Sequence, residues 1–280
     1  MKNQKKKPKK LPKKERYIIT IDELKFNQAI EIIYKHELLV LKREMIKDYN
    51  QQIIKFYRSN LEYIVGDSDD DVVKRLSRII NRIGAKWYER FSIKSQNYSK
   101  NFINSIDKHN DIRFHTLRKK NPFLLSGTEH REQLTKIIES SIAENVGLIK
   151  SIPKKFHDDI LGDVMRSVGK GGNLQELTQA LSKRSNLTSK RILLIARDQT
   201  AKATALLDRQ KAINSGFTTA IWKKSVAGMT HRKDHAEADG KEFDIAKGCL
   251  ISGEYILPRM KINCKCSYKL VIKFDDEEGD

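Results

Sequence analysis

Apolar residues recur every three or four positions through the first third of this chain, a spacing that builds long amphipathic helices packed side by side. Thr20-x-x-Glu23 has the form of a capping box. Leu24, Ala29, Ile30, Ile32 and Ile33 open the series, and Leu38, Leu39, Leu41, Met45, Tyr49, Ile53, Ile54, Tyr57, Leu61 and Ile64 carry it on, as one long helix or two in line. Gly66-Asp67-Ser68-Asp69-Asp70 predicts a break followed by an acidic first turn, where the helix dipole favours negative charge. Val72, Val73, Leu76, Ile79, Ile80, Ile83, Trp87, Tyr88 and Phe91 then repeat the period. Two such helices bury their stripes against each other as an antiparallel pair, with the aromatic residues in the core.

A second break falls at Lys119-Lys120-Asn121-Pro122, because the residue before proline disfavours helix. Helices are expected again at about residues 129–149, 154–168, 174–183 and 189–215, with Asn173-x-x-Glu176 as an N-cap pair. Gly169-Lys170-Gly171-Gly172 lacks both the spacing of a phosphate-binding loop and a preceding strand, so it reads as a helix stop. After Gly216 the pattern changes. Residues 217–222 are β-branched and aromatic, residues 266–272 alternate, and residues 254–257 offer a third strand. The fold class is therefore expected to be α+β, a predominantly helical N-terminal portion with a small C-terminal β-sheet domain. The expected divisions are a disordered basic arm at 1–16, a long-helix domain at 17–120, a helical connecting region at 121–188, an α+β domain at 189–274 and an acidic tail at 275–280.

Charge narrows the function. The chain has 55 Lys and Arg against 36 Asp and Glu, a net +19, which favours a polyanionic partner, with nucleic acid the first candidate. Eight lysines fall within residues 1–16, and Lys5, Lys6, Lys7, Lys9, Lys10, Lys13 and Lys14 are the candidate phosphate contacts; a solubility tail is the other reading. Three cysteines argue against a secreted disulfide framework and fit reduced thiols. No apolar run approaches the ~18 residues of a membrane span, and no signal-peptide core opens the chain, so a soluble cytoplasmic product is expected.

The residues with the most distinctive chemistry lie near the C-terminus. His231 and His235 are four apart and would share one face of a helical turn, while Cys264 and Cys266 are two apart and would share one side of a strand. Brought together, His231, His235, Cys264 and Cys266 form a Cys2His2 set that suits zinc, with Cys249 a replacement for His231. Against this, Cys-x-Cys on an extended strand holds its sulfurs far apart, and the same residues also suit buried thiols beside solvated histidines. Cys264 with His235, oriented by Asp239 or Asn263, has the residue types of a nucleophile pair. His231, Asp234, His235 and Asp239 have those of a nuclease metal site, but without a recognised nuclease spacing. No residue is assigned as catalytic.

Five clusters together carry a family resemblance. Arg197-Asp198-Gln199-Thr200, then Gly216 with Trp222-Lys223, then Arg232-x-x-His235-x-x-x-Asp239-Gly240, then Pro258, then Asn263-Cys264-Lys265-Cys266 resemble the phage Mu protein F-like head morphogenesis family, the minor head proteins of tailed phages. The resemblance covers about the last 110 residues. It marks Arg197, Thr200, Arg232, His235, Asp239, Gly240, Pro258, Asn263, Cys264 and Cys266 as motif positions, with Arg197 and Arg232 as buried ion-pair or turn-fixing residues and Gly240 at a positive-φ turn. One departure stands out: the family has Arg-Thr-Glu where this chain has Arg197-Asp198-Gln199. The resemblance implies a low-copy minor capsid protein acting near the portal, scaffold or packaged DNA. Its partners would be the portal protein, scaffold or major capsid protein and double-stranded DNA, first in the host cytoplasm and then inside the capsid. The rival reading is a metal-dependent DNA-processing enzyme or a toxin-related domain in the same particle.

Overall fold

The computed structural model describes residues 18–19, 27–60, 70–125, 131–168, 174–225 and 232–272. The lysines of the basic arm, Thr20 with its capping box, the break at residues 66–69, Gly169–Gly172, His231 and the acidic tail lie outside the described residues. The fold is α+β. Its helices are α1 (Gln28–Ser59), α2 (Asp70–Lys120), α3 (Arg131–Val168), α4 (Leu174–Asn214) and the short α5 (Lys233–Glu237). The strands are β1 (Ile18–Ile19), β2 (Thr219–Lys223), β3 (Glu242–Asp244), β4 (Cys249–Ile251), β5 (Glu254–Ile256) and β6 (Ser267–Val271). None of the described helices is long and apolar enough to cross a membrane.

The chain makes two compact units that interleave in sequence. A helical unit comprises Gln28–Asn104 and Glu139–Gln199; a mixed unit comprises Met1–Asn27, Ser105–Ile138 and Thr200–Asp280. Within the helical unit, Asn60 meets Arg75, Asp48 meets Lys86 and Trp87, and Glu44 meets Arg90, so α1 and α2 run antiparallel. The three-and-four spacing supplies the core. Leu38, Met45, Tyr49 and Ile53 are buried with Leu76, Ile80 and Phe91, together with Ile149, Phe156 and Ile160 of α3 and Leu181 and Ile192 of α4. Tyr34 stacks on Phe102 at 4.0 Å, and Tyr49 meets Phe156 edge-on at 5.1 Å. Each such buried side chain contributes roughly 1.5–3 kcal/mol.

Gln199, the departure from the family pattern, is buried in this unit. Tyr34 donates to Asn145 Oδ1 at 2.9 Å, Asn145 Nδ2 donates to Gln199 Oε1 at 3.0 Å, and Gln199 Nε2 donates to Glu144 Oε1 at 2.9 Å. The Gln199 amide both accepts and donates at that point; an ionised glutamate would face Glu144 with no proton to give.

Two expected helix breaks do not occur. α3 runs through Pro153, which removes one N–H but whose ring is buried in the core. α4 runs through the polar stretch 185–189, because Thr188 and Ser189 return their hydroxyls to the carbonyls of Arg184 and Ser185. Tertiary partners reinforce it: Lys42 Nζ donates to Ser185 and Ser189 at 2.7 and 2.9 Å, and Arg184 bonds Asp163. Packing outweighs local propensity here.

In the mixed unit β1, β6, β2 and β3 form an antiparallel sheet in that order, and β4 pairs with β5. The register places Trp222 opposite Tyr268 and Ala220 opposite Leu270. These residues share a core with Phe114, Ala212, Phe217, Phe243 and Leu257. β1, β3 and β4 were not expected, since runs of two or three residues leave no countable alternation, and Ile18–Ile19 falls in the stretch read as a helical domain. Gly216 ends α4 at φ +91°, with the Gly216 and Phe217 amides returning to Ile213 and Ala212. Any other residue would be strained there.

Candidate metal centre

The centre is built by two loops of the mixed unit that close on Trp222. On one side, the chain leaves β2 and returns through α5. Asp239 Oδ1 accepts the Lys224 amide at 2.9 Å, and the Gly240 amide donates to the Trp222 carbonyl at 2.9 Å, with Gly240 at φ +81°. Asp234 accepts the His235 amide through Oδ1 and the Ser252 hydroxyl through Oδ2, which ties α5 to the turn between β4 and β5. His235 is thereby held 4% exposed, edge-on to the Trp222 ring at 5.3 Å.

On the other side, residues 257–266 make a tight knuckle before β6. Pro258 is buried, and Arg259 and Asn263 both take positive φ, of 75° and 59°. Asparagine tolerates that conformation. The Cys264 amide donates to the Lys261 carbonyl at 3.0 Å, and the Arg259 amide points at Cys264 Sγ from 3.4 Å. Arg259 Nε donates to the Cys266 carbonyl at 3.2 Å. Arg232 is exposed but reaches the Ile262 carbonyl at 3.2 Å, joining the start of α5 to the knuckle.

The expectation that both thiols sit on a strand is therefore corrected, since β6 begins only at Ser267 and Cys-x-Cys lies in the irregular stretch that follows the turn at residues 262–263. That removes the objection from extended spacing. His235 Nδ1 stands 3.4 Å from Cys264 Sγ and 3.7 Å from Cys266 Sγ, and the three ligand atoms lie within 4.8 Å of one another. In a tetrahedron with legs of ~2.3 Å to sulfur and ~2.0–2.1 Å to nitrogen, the sulfur–nitrogen edge is about 3.6 Å. The observed pair of distances brackets that edge, so the donor set fits a thiophilic ion.

The electrostatics agree with thiolate character. A hydrogen bond from the Cys266 thiol, with the amides of Cys266 and Arg259, pulls Cys264 well below the ordinary thiol range. The same sharing, with burial, pushes Cys266 up. Cys249, the alternative ligand, is buried on β4 in the apolar core and does not join the group, and burial raises its thiol. Of the four candidate ligands the structure brings three together.

The remaining motif positions lie elsewhere. Thr200 is buried on α4, whereas Arg197 is exposed there, against the expectation of a buried ion pair. Among the described residues the buried arginine is Arg259, which carried no sequence signal. It lies in the field of Asp208, whose carboxylate is wholly buried and bonded to Arg113 Nη1 at 3.3 Å. Burial raises Asp208 to about 6 even with Arg113 and Arg259 pulling it down. Asp208, Arg113 and Tyr268 converge only through tertiary packing, and no local pattern announces them.

Residues 158–269 match the model of the family described as Phage Mu protein F like protein. This is the family that the motif clusters resemble, one of phage head morphogenesis. The Mu F-like portion takes in His235, Cys264, Cys266 and every other motif position, together with the last strand up to Lys269. An uncharacterized protein of Haemophilus influenzae is 24% identical over 251 residues, covering 87% of this chain and 53% of that protein. The chain thus spans about half the length of the relative it matches. No solved structure shows a significant match.

Proposed function

We propose that the protein is a minor head protein of a tailed phage, a low-copy virion component that works near the portal, the scaffold or the packaged DNA. The observation that carries this reading is the coincidence of the Mu F-like match with the segment in which His235, Cys264 and Cys266 converge. The matched portion has a physical centre, and that centre joins segments distant in the chain. The partners proposed are the portal protein, scaffold or major capsid protein, and double-stranded DNA without sequence preference, bound by Lys5, Lys6, Lys7, Lys9, Lys10, Lys13 and Lys14. The protein assembles in the host cytoplasm and ends inside the capsid.

The ion proposed for the centre is zinc. His235, Cys264 and Cys266 would hold it, and His231, four residues before His235, is the candidate for the fourth place. Bound there, zinc supplies a cross-link between α5 and the knuckle before β6, and its binding energy becomes folding energy for a sheet of short strands.

A metal-dependent DNA-processing enzyme is the second reading. Catalytic zinc sites use three protein ligands and keep a fourth place open, and His235, Cys264 and Cys266 could supply such a set. The structural role is preferred because His235 is almost wholly buried against Trp222, leaving a substrate little access. Mass spectrometry of purified particles tests the proposal. A few copies per virion or procapsid are expected, and absence from both defeats it. DNA cleavage with added magnesium or manganese, abolished by His235→Ala in a folded protein, would establish the enzyme instead.

A further inference from the structure

Both sides of the metal centre meet at Trp222. Its carbonyl accepts the Gly240 amide at 2.9 Å, and its own amide donates to the Lys241 carbonyl at 2.9 Å, which fixes the chain where it leaves α5. Its register partner on β6 is Tyr268, two residues after Cys266, so the same residue also fixes where the knuckle joins the sheet. The ring is wholly buried and stands edge-on to His235 at 5.3 Å. Packing alone asks for a large apolar ring at this point. It does not ask for the indole nitrogen.

Trp222 Nε1 is buried and makes no hydrogen bond to nitrogen or oxygen among the described residues. A buried indole N–H ordinarily finds an acceptor, and the one within its reach is the Cys266 sulfur, which also takes the Ser225 amide. Cys264 Sγ takes the Arg259 amide at 3.4 Å and the Cys266 amide. Each sulfur is thus served by two N–H groups. Three of these donors are main-chain amides, which almost any sequence supplies; the fourth is particular to Trp222. An N–H···S bond draws charge from a thiolate and fixes the direction of its lone pairs, which is how groups behind metal ligands tune a site.

We propose that Trp222 is a positioning residue of the metal centre: its ring holds the His235 imidazole with Nδ1 toward the sulfurs, and its N–H holds Cys266 Sγ in place as a ligand. This rests on the reading of the centre as a site for a thiophilic ion and deepens it, since it assigns a role to a side chain that touches no ion itself. It also accounts for a tryptophan in a core where phenylalanine would pack.

Cobalt is the probe, because the divalent ion takes the place of zinc among thiolates and imidazoles and gives a sulfur-to-cobalt charge-transfer band. The full chain is titrated with cobalt, and with zinc against a competing chelator. Trp222→Phe keeps a ring and removes the N–H. It is expected to bind both ions roughly 10–100-fold more weakly and to move the charge-transfer band to lower energy, since the sulfur then keeps more of its charge. Phe243→Leu thins the packing around the same ring, whose centroid lies 6.3 Å from that of Phe243, and leaves the N–H in place. It is expected to lower the melting temperature and leave the band where it was. An unmoved band in Trp222→Phe, or an equal shift in both variants, overturns the positioning role. If Trp222→Phe does not fold, the unsubstituted protein loaded with an NMR-active cadmium isotope decides the matter: the Trp222 indole proton is expected to show scalar coupling to the metal through Sγ, and no coupling overturns the proposal. An unsubstituted chain that takes up neither cobalt nor zinc defeats the metal centre and this role together, whereas uptake with an unmoved band defeats the role of Trp222 alone.

Discussion

At the scale of single residues, the chemistry turns on His235, Cys264 and Cys266. Their approach has a consequence for stability, because a zinc ion that binds only the folded chain adds its binding energy to folding. Protein purified without chelator is expected to carry about one equivalent of zinc, to melt lower in EDTA, and to lose both properties on Cys266→Ser. Elemental analysis with thermal melting checks this. Zinc far below one equivalent with unchanged melting in EDTA would leave the three side chains as packing and hydrogen-bonding groups. The motif spacing named these three correctly as neighbours, although it placed the thiols on a strand. What it missed was the means of approach, the positive φ of Arg259 and Asn263 that turns Cys-x-Cys into a knuckle. Nothing local in Pro258-Arg259 distinguishes a buried arginine from a solvated one.

At the scale of elements, the helices were legible from their period and so was the break after Lys120, but the continuity of two helices through stretches that look like breaks was not. Pro153 and the polar stretch 185–189 look like breaks in isolation, yet both are continuous because neighbouring helices satisfy or bury them. The same dependence on neighbours makes Gly84 a sharp test. It lies inside α2, where Gly→Ala ordinarily stabilises by about 1 kcal/mol. Here the added Cβ would come within 2.4 Å of His157 Nδ1, which is hydrogen-bonded to the Tyr49 hydroxyl at 3.1 Å. Gly84→Ala is therefore expected to destabilise by about 1–3 kcal/mol, through displacement of a packed ring. In a His157→Ala background the same change should be neutral or stabilising. Denaturant melts of the four proteins decide it, and additivity of the two substitutions would show that the ring gives way freely.

At the scale of the whole molecule, charge and topology answer different questions. The net +19 speaks to a polyanionic partner and is silent about fold. If the N-terminal lysines touch phosphates, deletion of residues 2–14 should flatten log K against log[salt] by roughly 0.9 for each phosphate no longer neutralised, for any duplex sequence. An unchanged slope would remove the arm from DNA binding. Sequence by itself determined the long helices, the change to strand after Gly216 and the residue types of the centre, because period, turn chemistry and ligand identity are local properties. Only the tertiary structure decided the interleaving of the two units along the chain, the pairing of Ile18 and Ile19 with β6, the burial of Asp208 beside Arg113, and the closure of the knuckle on His235. Each joins residues that are distant in the chain, and such contacts are fixed by packing and burial, which no short stretch of sequence contains.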